Sequence, residues 1–162
     1  MKFIKLEKDK NSIKSMSNMA TEIVREHFDP LVGKAQNDYM LAMFQTPEAI
    51  SRQLDAGYQY YFVEKDRQII GFLAFYEDGN AIHISKFYLY KQFRRCGYAG
   101  DMLKFIKAKS HELGFNCLEL NVNKDNSAIK AYESMGFECI RAEVNDIGEG
   151  YVMDDYVYQL IF

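Results

Sequence analysis

The residues best suited to chemistry lie in one short segment, Arg94-Arg95-Cys96-Gly97-Tyr98-Ala99-Gly100, between a strand-like run and a helix-like run. A helix N-terminus gathers unpaired backbone N–H groups and about half a positive charge, so a loop that bends those donors toward one point makes an anion site. Gly97 and Gly100 let backbone approach an anion closely, small Ala99 keeps bulk away, and Arg94 and Arg95 add mobile positive charge. The glycine-lysine signature of a nucleoside-triphosphate loop and the triple-glycine signature of a dinucleotide fold are both missing. A glycine turn ahead of a helix can also be purely structural, and taken alone the loop favours phosphate only slightly.

Among other titratable side chains, His83 lies in a strand-like run, and an ordinary imidazole pKa near ~6.5 suits proton uptake at neutral pH. A strand-packing histidine is the competing reading. His27 and His111 fall in helix-like runs and are assigned no chemical role. Cys96, Cys117 and Cys139 are widely spaced and lack histidines at metal-ligand intervals, which reads as reduced thiols and no zinc. Cys96, with no histidine partner, reads as a small filler facing solvent.

Periodicity locates the strands and helices around these groups. Phe3 to Leu6 alternate with lysine as a first strand, and Asn11 or Ser12 caps a helix with Ile13, Met16, Ala20, Ile23 and Val24 on one face. Asp29-Pro30 closes that helix; a short helical segment over Tyr39 to Phe44 follows, and Thr46-Pro47 opens another, ended by Gly57. Strands over Tyr58–Val63, Ile69–Tyr76 and Ile82–Tyr90, joined by Lys65-Asp66-Arg67-Gln68 and Glu77-Asp78-Gly79-Asn80, make an antiparallel meander. A helix from Ala99 to Leu113, a strand from Cys117 to Val122, a helix from Ser127 to Met135 and strands near 137–144 and 150–161 complete the chain. Strand, helix and strand across residues 82–122 form a right-handed crossover, so those two strands lie parallel within an otherwise antiparallel sheet. The fold class is mixed α/β.

The 162 residues suit a single domain spanning 1–162, and 48% hydrophobic residues are enough for a core. A net charge of −3 gives no overall attraction to nucleic acid or to an anionic membrane. The N-terminus lacks an apolar signal segment and no run approaches a membrane span, so a cytoplasmic location is expected.

The loop fits the Gln/Arg-x-x-Gly-x-Gly/Ala signature and resembles the GNAT superfamily of acyltransferases, read on Arg94, Arg95, Cys96, Gly97, Tyr98 and Ala99. Lys86-Phe87-Tyr88-Leu89-Tyr90 resembles the family's fourth strand, and Ala128-Ile129-Lys130-Ala131-Tyr132-Glu133-Ser134-Met135-Gly136-Phe137 its A-I-x-x-Y-E-x-x-G-F helix and turn. The order of elements is similar from end to end. The resemblance implies a GNAT fold, a mostly antiparallel sheet with a central parallel pair flanked by helices, and acetyl-coenzyme A as acetyl donor.

It further implies that parallel strands part at a bulge and that pantetheine bonds to main-chain groups of Phe87 and Leu89, beside Tyr88. The Leu89 N–H would polarise the thioester carbonyl, and the N–H groups of Arg95 to Gly100 would hold the pyrophosphate. Tyr132 would protonate the departing thiolate. The base differs among relatives: His83 falls where some carry a glutamate, and Asn121 stands where others carry a carboxylate, a role asparagine cannot fill. The coenzyme-contacting asparagine is assigned to Asn126, one residue closer to the tyrosine than usual, with Asp125 at the usual spacing.

The end of the carboxylate-rich stretch from Glu143 to Asp155, and the His27-Phe28-Asp29-Pro30 segment with Gln36 to Phe44 after it, resemble the bacterial polyamine acetyltransferase branch, although a charged hairpin is more often a solvated surface. A small amine or polyamine is the acceptor implied; a protein N-terminal or lysine acetyltransferase and a non-catalytic coenzyme A sensor are the alternatives. Relatives are often homodimers, and here aromatic strands offer a surface for one.

Overall fold

The strands between residues 59 and 89 carry near-continuous apolar runs, and because successive side chains turn to opposite faces, both faces need cover, which the helices supply. The computed structural model describes all of residues 1–162. One seven-stranded sheet runs in the order β1 (Lys2–Lys5), β2 (Gln59–Lys65), β3 (Gln68–Asp78), β4 (Ala81–Leu89), β5 (Cys117–Asn123), β7 (Tyr151–Ile161) and β6 (Glu138–Gly148). All neighbours are antiparallel except β4 and β5, which are parallel as the crossover requires.

Helices α1 (Lys10–Val32), α2 (Lys34–Phe44) and α3 (Pro47–Asp55) precede the meander; α4 (Tyr98–Glu112) and α5 (Ile129–Ser134) flank β5. Leu73, Phe75, Ile82, Ile84, Leu118 and Leu120 pack against Met102, Leu103 and Ile106 of α4. Tyr60, Phe72 and Ala74 point to the other face and meet Ile13, Met16, Ala20 and Ile23 of α1 with Ile50 of α3. Full burial of each large apolar side chain contributes about 1.5–3 kcal/mol, so both faces are strongly specified. At Gly71 the two strands approach so closely that a Cβ would sit 2.1 Å from the Tyr88 carbonyl oxygen.

Several boundaries differ from those expected. Asp9, not Asn11 or Ser12, caps α1, accepting the Ser12 N–H at 2.8 Å. Asp29-Pro30 does not close the helix, because a proline so near the end forfeits one backbone bond and the Gly33 N–H still reaches the Asp29 carbonyl. Helix α5 is shorter than 127–135, since Asn126 Oδ1 accepts the Ala128 N–H and holds the preceding residues in a turn. The last two strands extend through the carboxylate-rich stretch to a tight turn at Gly148-Glu149-Gly150. No helix is long and apolar enough to cross a membrane.

Candidate active site

The parallel ladder pairs only Ile82 with Leu118 and His83 with Glu119. Just beyond, the register of β4 against β3 jumps from Ile84 opposite Phe75 to Lys86 opposite Ala74, leaving Ser85 as the extra residue of a bulge. A bulge bends its strand and increases local twist, so β4 turns away from β5. A cavity of about 1190 Å³ opens there, roofed by Val24, Phe28, Leu41 and Phe44 of α1 and α2.

One edge of β4 faces this gap. The Tyr90 N–H bonds to the Ile70 carbonyl of the β3 side at 2.9 Å. Successive residues of a strand turn their polar groups to opposite edges, which directs those of Leu89 and Phe87 toward β5. Arg94 Nε donates to the Leu89 carbonyl at 3.2 Å and ties the loop to the strand end.

Gly97 caps α4 in the left-handed region, φ 82°, and no side chain caps the helix. First-turn N–H groups lack helical partners by geometry, so those of α4 remain available to an anion. Arg94, Arg95, Gly97, Ala99 and Gly100 line the cavity. The side chains of Cys96 and Tyr98 do not: Cys96 is exposed, with Sγ 3.4 Å from the Arg94 carbonyl, and Tyr98 packs against the α4 core. Those two can therefore serve an anion only through their backbone.

Tyr132 on α5 lines the cavity from the opposite side, its ring 6.1 Å from that of Phe87 and 5.8 Å from that of Phe137. Burial raises its phenol pKa well above the ordinary range, so the hydroxyl keeps its proton. Asn126 is buried and lines the cavity, whereas Asp125 is exposed and does not. His83 lines the cavity where β4 and β5 are still paired, its ring 5.1 Å from that of Tyr76; desolvation lowers its pKa. Phe87, Tyr88 and Leu89 also line it.

The structure brings in residues the sequence reading passed over. His27 received no role, yet its Nε2 lies 3.0 Å from Asn126 Oδ1 and its ring lines the cavity. Asp155 of β7 is only 3% exposed and lines the same cavity, and burial raises its carboxyl pKa. Burial pushes the Lys86 ammonium down to about 8, and burial together with the field of Asp155 pushes the Tyr88 phenol up to about 12. Asn121 donates to Glu143 Oε2 at 3.3 Å. A charged residue at Lys86 inside an apolar strand was a legible signal; His27 and Asp155 lay in segments already singled out, but nothing local marked these side chains as the buried ones.

A family model described as the acetyltransferase (GNAT) domain matches residues 29–153, and the chain belongs to that family. No curated protein matches it. Among solved structures it is similar to the PaiA N-acetyltransferase from Thermoplasma acidophilum in complex with coenzyme A, at 14% identity, TM-score 0.78 and full coverage of both chains. It is likewise similar to a GCN5-related N-acetyltransferase from Rhodopseudomonas palustris, at 9% identity and TM-score 0.81 over 99% of this chain and 95% of that one. A spermidine N-acetyltransferase chimera from Vibrio cholerae and hSSAT matches at 16% identity and TM-score 0.69 over 99% and 96%.

Proposed function

We propose that the protein transfers an acetyl group from acetyl-coenzyme A to a primary amine of a small molecule or polyamine, by direct attack within a ternary complex. The observation that carries this reading is the meeting, in one cavity, of the parted β4–β5 edge, the uncapped arginine-flanked start of α4 and the protonated Tyr132. The residues fit the donor: a diphosphate suits the free N–H groups between Arg95 and Gly100 with Arg94 beside them, and a pantetheine amide suits the strand edge at Phe87 and Leu89. Bound there, the coenzyme supplies an activated acetyl thioester.

The remaining chemistry belongs to the chain. The Leu89 N–H donates to the acyl oxygen as negative charge grows on it. Tyr132 gives its proton to the departing sulfur. His83, kept neutral by desolvation but roughly 20 Å along β4 from Leu89, receives through water in the cavity the proton shed by the amine, whose ordinary pKa near ~10.4 means it arrives charged. A buried carboxylate at Asp155 favours a cationic acceptor in the same space.

Turnover with acetyl-coenzyme A over a panel of small amines, polyamines and peptides, followed by thiol release, tests the reading. Release with small amines or polyamines supports it, and release with peptides alone moves the acceptor to proteins. Tight coenzyme A binding without any turnover sinks the enzymatic reading in favour of a sensor.

A further inference from the structure

Lys86 follows the Ser85 bulge on β4, and its side chain lines the cavity under the apolar residues Val24, Phe28, Leu41 and Phe44. It takes part in no ion pair and no side-chain hydrogen bond. It is partly buried, and desolvation lowers its ammonium pKa with no carboxylate opposing the shift.

The neighbouring groups confirm that the charge is unanswered. Tyr88, on the same face, stays neutral, and His27 and His83 are neutral by desolvation. Glu143 is engaged by Arg141 at 2.8 Å and by Asn121. Asp155 lies on β7, separated from β4 by β5. Two strand spacings place the Lys86 and Asp155 backbones roughly 10 Å apart or more. The cavity therefore holds a cation and an anion that do not neutralise one another. Withdrawing such charges from water is costly, and a ligand that carries both counter-charges offsets the cost.

We propose that Lys86 binds an anionic group of the acceptor, so that the molecule acetylated here is a small amine that also carries a carboxylate, as a free amino acid does. This rests on the acetyltransferase reading and narrows its acceptor. Asp155 supplies the complementary charge for the ammonium end. One lysine with a carboxylate in the same cavity suits a monoanion, not a phosphate dianion. A polyamine would instead bring further ammonium groups beside Lys86, where burial strengthens the repulsion between like charges.

The test compares amino acids with their own amides as acceptors. The free carboxylate is expected to raise kcat/KM by about 10- to 100-fold, chiefly through KM, as a charge-assisted bond does. Lys86→Met and Lys86→Gln are each expected to erase that ratio. Calorimetry adds a readout independent of turnover: N-acetylated amino acids should bind the wild-type protein with coenzyme A and lose binding in both variants. If no amine turns over while that binding pattern holds, the acetyltransferase reading falls and the anion site stands. Equal rates for acid and amide, a preference for polyamines, absence of carboxylate binding, or an acetyl group found on Lys86 after incubation with acetyl-coenzyme A alone would each overturn it.

Discussion

His27 Nε2 on α1 lies 3.0 Å from Asn126 Oδ1, which also accepts the Ala128 N–H at 2.9 Å at the start of the α5 turn, so one oxygen joins elements 99 positions apart. The contact ties α1 to the turn before α5 in the wall of the cavity and holds the side chain proposed to touch the cofactor.

His27→Ala should loosen Asn126 without removing it. The loss of one half-buried hydrogen bond is worth about 1 kcal/mol, so coenzyme A should bind roughly 5-fold more weakly. Calorimetric titration checks this; unchanged affinity would separate Asn126 from the cofactor.

Tyr132→Phe removes the proposed proton donor and little else, since the ring still packs between Phe87 and Phe137. Turnover should fall by about 10²- to 10⁴-fold while coenzyme A affinity stays nearly constant. Thiol release paired with calorimetry is the measurement, and undiminished turnover would remove Tyr132 from the mechanism.

Desolvation lowers the pKa values of both His27 and His83 in the folded state. Above the unfolded value near ~6.5 neither state binds these protons, and the two groups leave stability unaffected. As pH falls below it the unfolded chain takes up protons that the folded one refuses, so stability is lost until the lowered folded values are passed. Tm should decline from about pH 7 toward pH 5. A double variant with glutamine at positions 27 and 83 should flatten that decline, and an equally steep one would place its origin elsewhere.

Gly71→Ala tests the seam between β3 and β4. Its Cβ would meet the Tyr88 carbonyl oxygen at 2.1 Å, and neither backbone can swing aside as a flexible side chain would. Overpacking of this kind costs about 1–3 kcal/mol or more. Chemical denaturation should show that loss, together with weaker coenzyme A binding as Leu89, the ladder partner of Gly71, is displaced.

The order of elements was legible in local residue patterns, and the anion loop at Arg94 to Gly100 together with its family resemblance pointed to the coenzyme. The aromatic and β-branched runs between residues 59 and 89, the crossover over 82–122 and the glycine turn at Gly97 are local patterns, written in consecutive residues. The parallel pairing of β4 with β5 and the free start of α4 follow from them. Exact ends were less legible where one side chain decided them, as with the Asp9 cap and the run of α1 through Pro30. How the walls of the cavity meet was left to the whole fold. The placing of the bulge at Ser85, the meeting of His27 with Asn126, and the burial of Lys86 and Asp155 depend on residues far apart in the chain. Their chemistry comes from burial, and burial belongs to the whole fold, not to any short stretch of sequence.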